Sequence, residues 1–271
     1  MVSLTEKSAG FEHVRCTLSD HVATIVLNRP ERRNALNYKA YDELEQAFRL
    51  AAADEDVRCV IVTGADPAFC SGDDVGEIMA GPKAVAKRAQ PIVTYQATPA
   101  AIAALECDKP VIAAVNGAAV GWGMELALFA DIRIASEKAK FGELFVKRGL
   151  VCDVGGFYRL PAVVGPAKAA ELLFTGDIFD AAEALRIGLV TEVAPHDQLM
   201  VRARALADRI AVNPPLAVRY LKAGLNRSAY GDPREIGAWA IEKIRLLMQT
   251  EDHREGVASF MEKRPAEFTG R

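Results

Sequence analysis

The chain has 271 residues, 51% of them hydrophobic and 25% charged. That is enough apolar material for a full core, which excludes a disordered chain and a disulfide-stapled mini-protein. With 33 basic against 36 acidic residues the net charge is −3, so nothing here marks bulk nucleic-acid or membrane-surface binding.

Cys16, Cys59, Cys70, Cys107 and Cys152 include no C-x-x-C pair, and His13, His21, His196 and His253 are scattered. A zinc site, a disulfide framework and an H-E-x-x-H metalloprotease are poor readings, so no metal is expected. Reduced thiols in a cytoplasmic protein are the expectation. The first ten residues are polar and do not read as a secretory signal. Residues 110–130 are apolar enough to suggest a membrane span. They also hold Asn116, Glu125 and three glycines, which argue for a strand, a turn and a buried helix.

In chain order, Val22 to Leu27 is a β-branched run that predicts a buried strand, ended by Asn28-Arg29-Pro30. Tyr41, Leu44, Phe48 and Ala51 recur at helical spacing within 38–53. Residues 57–63 predict a second strand. Residues 77–105 read as Ala-rich helix broken by Pro82, Pro91 and Pro99. Residues 110–115 predict a strand, 122–129 a helix, 131–136 and 140–141 short strands, and 189–193 a late strand. Helices follow at 197–212, 215–225, 233–249 and 252–263.

Strand-helix alternation over the first 196 residues argues for an α/β class with parallel sheet. The expected division is a core of residues 1–196 and a helical region of 197–271. The tail is too short to bury a large core alone, so it is expected to pack on the core or on another subunit.

Two glycine-bearing turns carry the candidate chemistry. Ala68-Phe69-Cys70-Ser71-Gly72-Asp73-Asp74 follows one strand. Asn116-Gly117-Ala118-Ala119-Val120-Gly121-Trp122-Gly123-Met124-Glu125 follows another and opens a helix. Each places unpaired N–H donors in a tight turn, and a helix start adds positive potential. Two donors converging on one point would hold a thioester oxygen as it becomes an enolate, at roughly 3 kcal/mol per donor. A purely structural use of these glycines stays open. No P-loop and no G-x-S-x-G elbow occurs, and Leu126 replaces the third glycine of a dinucleotide fingerprint.

Glu125 lies three residues after Trp122, on one helix face. It can move a proton next to a thioester carbonyl or hold a water. Its helix start lowers its pKa and burial raises it. Asp153 stands before Gly155-Gly156, where a turn-capping role is also open.

Together these stretches resemble the enoyl-CoA hydratase/isomerase (crotonase) superfamily. Leu27-Asn28-Arg29-Pro30 with Asn34-Ala35-Leu36 is similar to its entry motif. Residues 68–74 and 116–126 are similar to its two oxyanion loops. Phe141-Gly142 and Gly155-Gly156 follow in register, and Phe260-x-Glu262-Lys263-Arg264 is similar to its C-terminal motif.

The resemblance implies a spiral of ββα units with a C-terminal helical trimerisation region, as homotrimer or hexamer. It implies enoyl-CoA substrates, with coenzyme A as part of the substrate, and no cofactor, nucleic acid or membrane partner. By position, the N–H groups of Ser71 and Trp122 form the oxyanion hole and Glu125 is the first catalytic glutamate. Gly72, Asp73, Asp74, Val75, Gly121 and Phe145 are implied to line the substrate. Arg32, Arg33, Ala35, Phe260 and Lys263 are implied to meet the CoA portion.

Two departures bear on mechanism. The second hydratase glutamate falls at Phe145, which transfers no proton. Asp153 falls eight residues later, where some isomerases of the superfamily keep a catalytic aspartate. Trp122 replaces a glycine, a change a backbone donor survives. The expectation is hydration or double-bond isomerisation of an enoyl-CoA through a bound enolate, with Asp153 and Glu125 as acid/base pair. Thioester hydrolysis, decarboxylation, ring-CoA isomerisation, and a non-catalytic binding protein on this scaffold remain as alternatives. The acyl pocket is expected within 77–105.

Overall fold

The computed structural model describes residues 3–82, 97–228 and 231–271. Much of the expected pocket stretch, 83–96 with Pro91, lies outside the described residues.

Among the described residues, ten strands form two sheets. The larger runs β1 (Val14–Ser19), β2 (Val22–Leu27), β3 (Cys59–Gly64), β5 (Val111–Val115), β7 (Ile132–Ser136) and β10 (Glu192–Ala194). The smaller runs β4 (Ala68–Cys70), β6 (Ala118–Val120), β8 (Lys140–Gly142) and β9 (Phe179–Asp180). β1 and β2 are an antiparallel hairpin, and every later pairing in the large sheet is parallel.

The chain alternates between sheets. β3, β5 and β7 add one after another to the large sheet, and each is followed by β4, β6 or β8 in the small one. Helix Trp122–Phe129 follows β6 and returns the chain to β7 in the large sheet, so the core is a spiral of repeated units, as expected.

The large sheet is covered on both faces. Val60, Val62, Val111, Ala113 and Val115 face one apolar cluster; Cys59, Ile61, Ile112 and Ala114 face another. Double coverage explains why these strands read as unbroken apolar runs. Each fully buried Val or Ile contributes roughly 1.5–3 kcal/mol.

The second face is covered by helix Leu199–Ala211, through Leu199, Ala203, Ala207 and Ala211. A four-residue repeat of small side chains lets this helix lie close on the sheet. The expected helical region of 197–271 therefore begins with a helix that serves the core of 1–196.

Helices Pro215–Ser228, Pro233–Leu247 and Glu251–Glu262 follow. Lys222 anchors the first, bonding Asp131 at 2.8 Å and the Lys109 carbonyl at 2.9 Å. Asp252 ties down the tail, accepting from the Thr269 and Gly270 N–H groups. Leu221, Leu225, Phe260 and Met261 stay exposed on these helices.

Helices 38–53 and 122–129 and strand 22–27 have the expected bounds. β1 was not expected. Its buried and exposed residues alternate, so it lacks the continuous apolar run that marks its neighbours. β4 and β6 have three residues each and read as turns in the sequence. No described helix is long and apolar enough to cross a membrane.

Candidate active site

The Asn34-Ala35-Leu36 segment docks the first glycine loop. Arg33 and Asn34 both adopt positive φ, 52° and 56°. This turns Asn34 inward, where Nδ2 donates to the Ala65 and Ala68 carbonyls at 2.7 Å each. The Leu36 N–H donates to the Gly72 carbonyl, and the Asp74 N–H donates back to Leu36, both at 2.8 Å. Buried Arg29 clamps the pair, bonding the Ala35 carbonyl at 2.5 Å and Asp74 Oδ2 at 3.2 Å.

The two glycine loops meet backbone to backbone. A Cβ on Gly123 would sit 2.0 Å from the Cys70 carbonyl oxygen. A Cβ on Gly72, at φ +86°, would lie 2.8 Å from the Val120 carbonyl oxygen and 3.3 Å from the Trp122 nitrogen. Ser71, Gly72, Asp73, Val75, Gly121, Trp122 and Phe145 line one narrow cleft of about 40 Å³. Seven of the expected site residues thus come together there.

The two expected N–H donors differ. Among the described residues nothing accepts the Trp122 N–H. The Ser71 N–H, expected to be unpaired, donates to the Arg33 carbonyl at 3.1 Å. The positive φ of Arg33 and Asn34 brings that carbonyl onto the loop, which local sequence spacing does not reveal.

The cleft shares Asp73, Trp122 and Phe145 with a neighbouring cavity of about 580 Å³. Its walls include Tyr38, Tyr41, Asp73, Ile78, Thr98, Trp122, Phe145 and Asp153. Asp153 is the carboxylate from the Gly155-Gly156 turn. Its Oδ2 accepts the Thr98 hydroxyl at 2.7 Å and the Trp122 indole N–H at 3.2 Å. The Tyr41 hydroxyl donates to Asp73 Oδ1 at 2.5 Å, and its ring meets the Trp122 ring edge-on at 4.8 Å. Burial pushes the Asp73 carboxyl upward.

Glu125 is wholly buried behind this wall. Its Oε1 accepts the N–H groups of Asp153 at 3.1 Å and Gly156 at 3.0 Å. The glycine pair is required by this approach: a Cβ on Gly155 would lie 2.4 Å from Glu125 Oε2. Of the opposing influences on Glu125, burial wins. Its pKa rises to about 7, with the Asp153 charge adding to the rise and backbone N–H bonds opposing it.

The remaining candidates lie elsewhere. Arg32 and Arg33 are exposed beside the loop, and Ala35 and Asp74 are taken up by Arg29. Phe260 and Lys263 are exposed on the C-terminal helix and line neither the cleft nor the cavity. Among the described residues no cluster of His, Cys, Asp or Glu could hold a metal ion.

The sequence reading missed Tyr41, Thr98 and Glu143. Tyr41 reads as a core position of its helix, and Thr98 as the residue before a proline. Glu143 is buried, and among the described residues neither of its oxygens has a hydrogen-bond partner. A lone acidic residue before an apolar run, Leu144-Phe145-Val146, was its one signal.

A free N–H, a second N–H beside it and a carboxylate on one cavity wall can stabilise a developing oxyanion and relay a proton. The enoyl-CoA hydratase/isomerase family model matches residues 17–271. A crotonyl-CoA hydratase of Syntrophomonas wolfei is 37% identical over 260 residues, covering 96% of this chain and 98% of that one. The 1,2-epoxyphenylacetyl-CoA isomerase of Escherichia coli is 34% identical over 250 residues, covering 92% and 95%. The crystal structure of an enoyl-CoA hydratase from Bacillus anthracis superposes with a TM-score of 0.88 at 33% identity, covering 96% and 100%. The chain is an enzyme of the enoyl-CoA hydratase/isomerase family.

Proposed function

We propose that the protein shifts a C=C bond along an enoyl-CoA thioester through a bound enolate, with Asp153 carrying the proton. The observation that supports this is the pairing of Asp153 on the cavity wall with Phe145 in place of a second acid.

In this reading the thioester oxygen lies in the narrow cleft. The Trp122 N–H donates to it, joined by the Ser71 N–H, which shares its bond between the ligand and Arg33. The Asp153 carboxylate removes a proton from the α carbon of a 3-enoyl thioester. The electron pair moves onto the thioester oxygen as a dienolate. Asp153 returns the proton at the γ carbon and the dienolate collapses to the 2-enoyl product. Glu125 positions Asp153 through the Asp153 N–H. Arg32 and Arg33 would meet the CoA phosphates. Phe260 and Lys263 would serve a neighbouring subunit's CoA in a homotrimer or a hexamer, which would also cover the exposed apolar residues of the last helices.

Asp153→Asn tests the proposal. Isomerisation of a 3-enoyl-CoA falls ~10²–10⁴-fold, the range for losing a general acid/base. Thermal stabilisation by acetoacetyl-CoA persists, because binding to the native state is kept. Wild-type turnover in this variant would return Asp153 to turn capping.

Hydration of a 2-enoyl-CoA is the second reading. It is favoured by Glu125, which is poised near neutrality, and by relatives such as the short-chain-enoyl-CoA hydratase of Clostridium acetobutylicum, 38% identical over 248 residues. A panel of 2-enoyl, 3-enoyl and dienoyl thioesters, read by absorbance and product mass, separates the two.

A further inference from the structure

Phe145 stands where three cavities meet. It lines the cleft, the main cavity and a third chamber of about 160 Å³. Val151 and Cys152 are also common walls of the main cavity and this chamber. The chamber is otherwise apolar, with Leu173 and Phe174 on its far side and one acidic residue, Glu143. Glu143 is 1% exposed, and among the described residues neither carboxyl oxygen has a hydrogen-bond partner. A buried polar group without a partner is costly, and native proteins rarely keep one without a use.

We propose that this chamber receives the far end of the substrate's acyl chain and that Glu143 recognises a hydroxyl group there. The inference rests on the reading of the main cavity as an acyl-CoA site. The shared walls give a chain a path from the cleft past Phe145 into the chamber. The chemistry of the floor selects the group. Burial, with the nearby Glu125 charge, pushes the Glu143 carboxyl well above the usual carboxylate range, which favours its protonated form. A neutral carboxyl offers one O–H donor and acceptor oxygens. A hydroxyl is likewise both donor and acceptor, so the two satisfy each other. An ammonium would lose its hydration for a single partner in an apolar chamber, which disfavours it. A methyl end would leave the carboxyl unsatisfied.

Titration calorimetry tests this with saturated six-, eight- and ten-carbon acyl-CoAs ending in methyl or in a terminal hydroxyl. Saturated chains do not react, so the readout is independent of which reaction the enzyme performs. At one of these lengths the wild-type protein binds the hydroxyl-ended ligand roughly tenfold more tightly, because a site built to pair a hydroxyl rejects the analogue lacking it. Glu143→Leu abolishes that preference without weakening the methyl-ended ligand, and Glu143→Gln keeps part of it. Equal affinities, or a methyl preference at every length, overturn the proposal while leaving the acyl-CoA reading intact. Binding no tighter than bare CoA for any acyl chain overturns both. Should the leucine variant not fold, the wild-type preference and the glutamine variant decide.

Discussion

The Trp122 indole donates its Nε1–H to Asp153 Oδ2 across 3.2 Å. Trp122 thus serves the site twice, with its main chain at the cleft and its side chain on the carboxylate 31 positions away. The Thr98 hydroxyl shares the same oxygen at 2.7 Å. Two donors on one oxygen leave Oδ1 to the Val154 N–H at 2.8 Å, so the carboxylate is held in one orientation.

Trp122→Phe removes one of those donors while keeping an aromatic ring against Tyr41. Turnover of a 3-enoyl-CoA falls about tenfold, the equivalent of about 1.4 kcal/mol for one lost neutral-to-charged hydrogen bond. KM stays near its wild-type value. Unchanged kcat would mean that the indole only packs.

Phe145→Glu places a carboxylate at the junction of the three cavities. Hydration of crotonyl-CoA rises at least about tenfold, as a positioned general acid/base supplies roughly 10²–10⁴ when well aligned. The melting temperature falls, because the new carboxyl borders an apolar chamber. A folded variant with unaltered hydration would show that this position is not where the missing acid belongs.

Glu125 makes stability depend on pH with a defined sign. Its pKa rises from an ordinary 4.5 to about 7 in the folded chain. Below pH 4.5 both folded and unfolded states hold the proton, and its contribution is fully present. Between 4.5 and about 7 the unfolded chain releases the proton more readily, so stability drops as pH rises, by about 1.4 kcal/mol per unit of difference. Glu143, raised in the same direction, adds to the slope. Urea unfolding at pH 4.5 and 7.5 shows a smaller loss for Glu125→Gln than for wild type. Parallel losses in both proteins would remove Glu125 as the cause.

Arg29 and Asp74 form a buried ion pair at 3.2 Å, with their side chains 9% and 14% exposed. Arg29→Met leaves Asp74 without its countercharge and costs roughly 3–5 kcal/mol. The double variant with Asp74→Asn recovers more than half of that loss. Chemical denaturation measures both, and a single-variant cost below about 1 kcal/mol would mark the pair as no stronger than a surface salt bridge.

Several elements are legible in the chain itself because their causes are local. Val22–Leu27 and Tyr38–Ala53 follow from β-branched content and helical spacing. The two glycine loops follow from glycines placed directly after apolar strand runs. The hairpin strand Val14–Ser19 and the three-residue strands of the small sheet are not legible. The three-residue strands are shorter than the windows in which periodicity shows itself, and Val14–Ser19 alternates buried and exposed residues where its neighbours are unbroken apolar runs.

The order of motifs along the chain was sufficient for the family, the parallel α/β core and the pair of loops, since turn chemistry and strand patterning depend on neighbours in sequence. Tertiary structure decided the rest. It set which carboxylate faces the cavity, that burial outweighs the helix start at Glu125, that the Ser71 N–H meets Arg33, and that Glu143 is buried with no hydrogen-bond partner among the described residues. Each depends on groups brought together from distant segments, such as Thr98 and Asp153, 55 residues apart, and on desolvation, which exists only once the chain has folded around them.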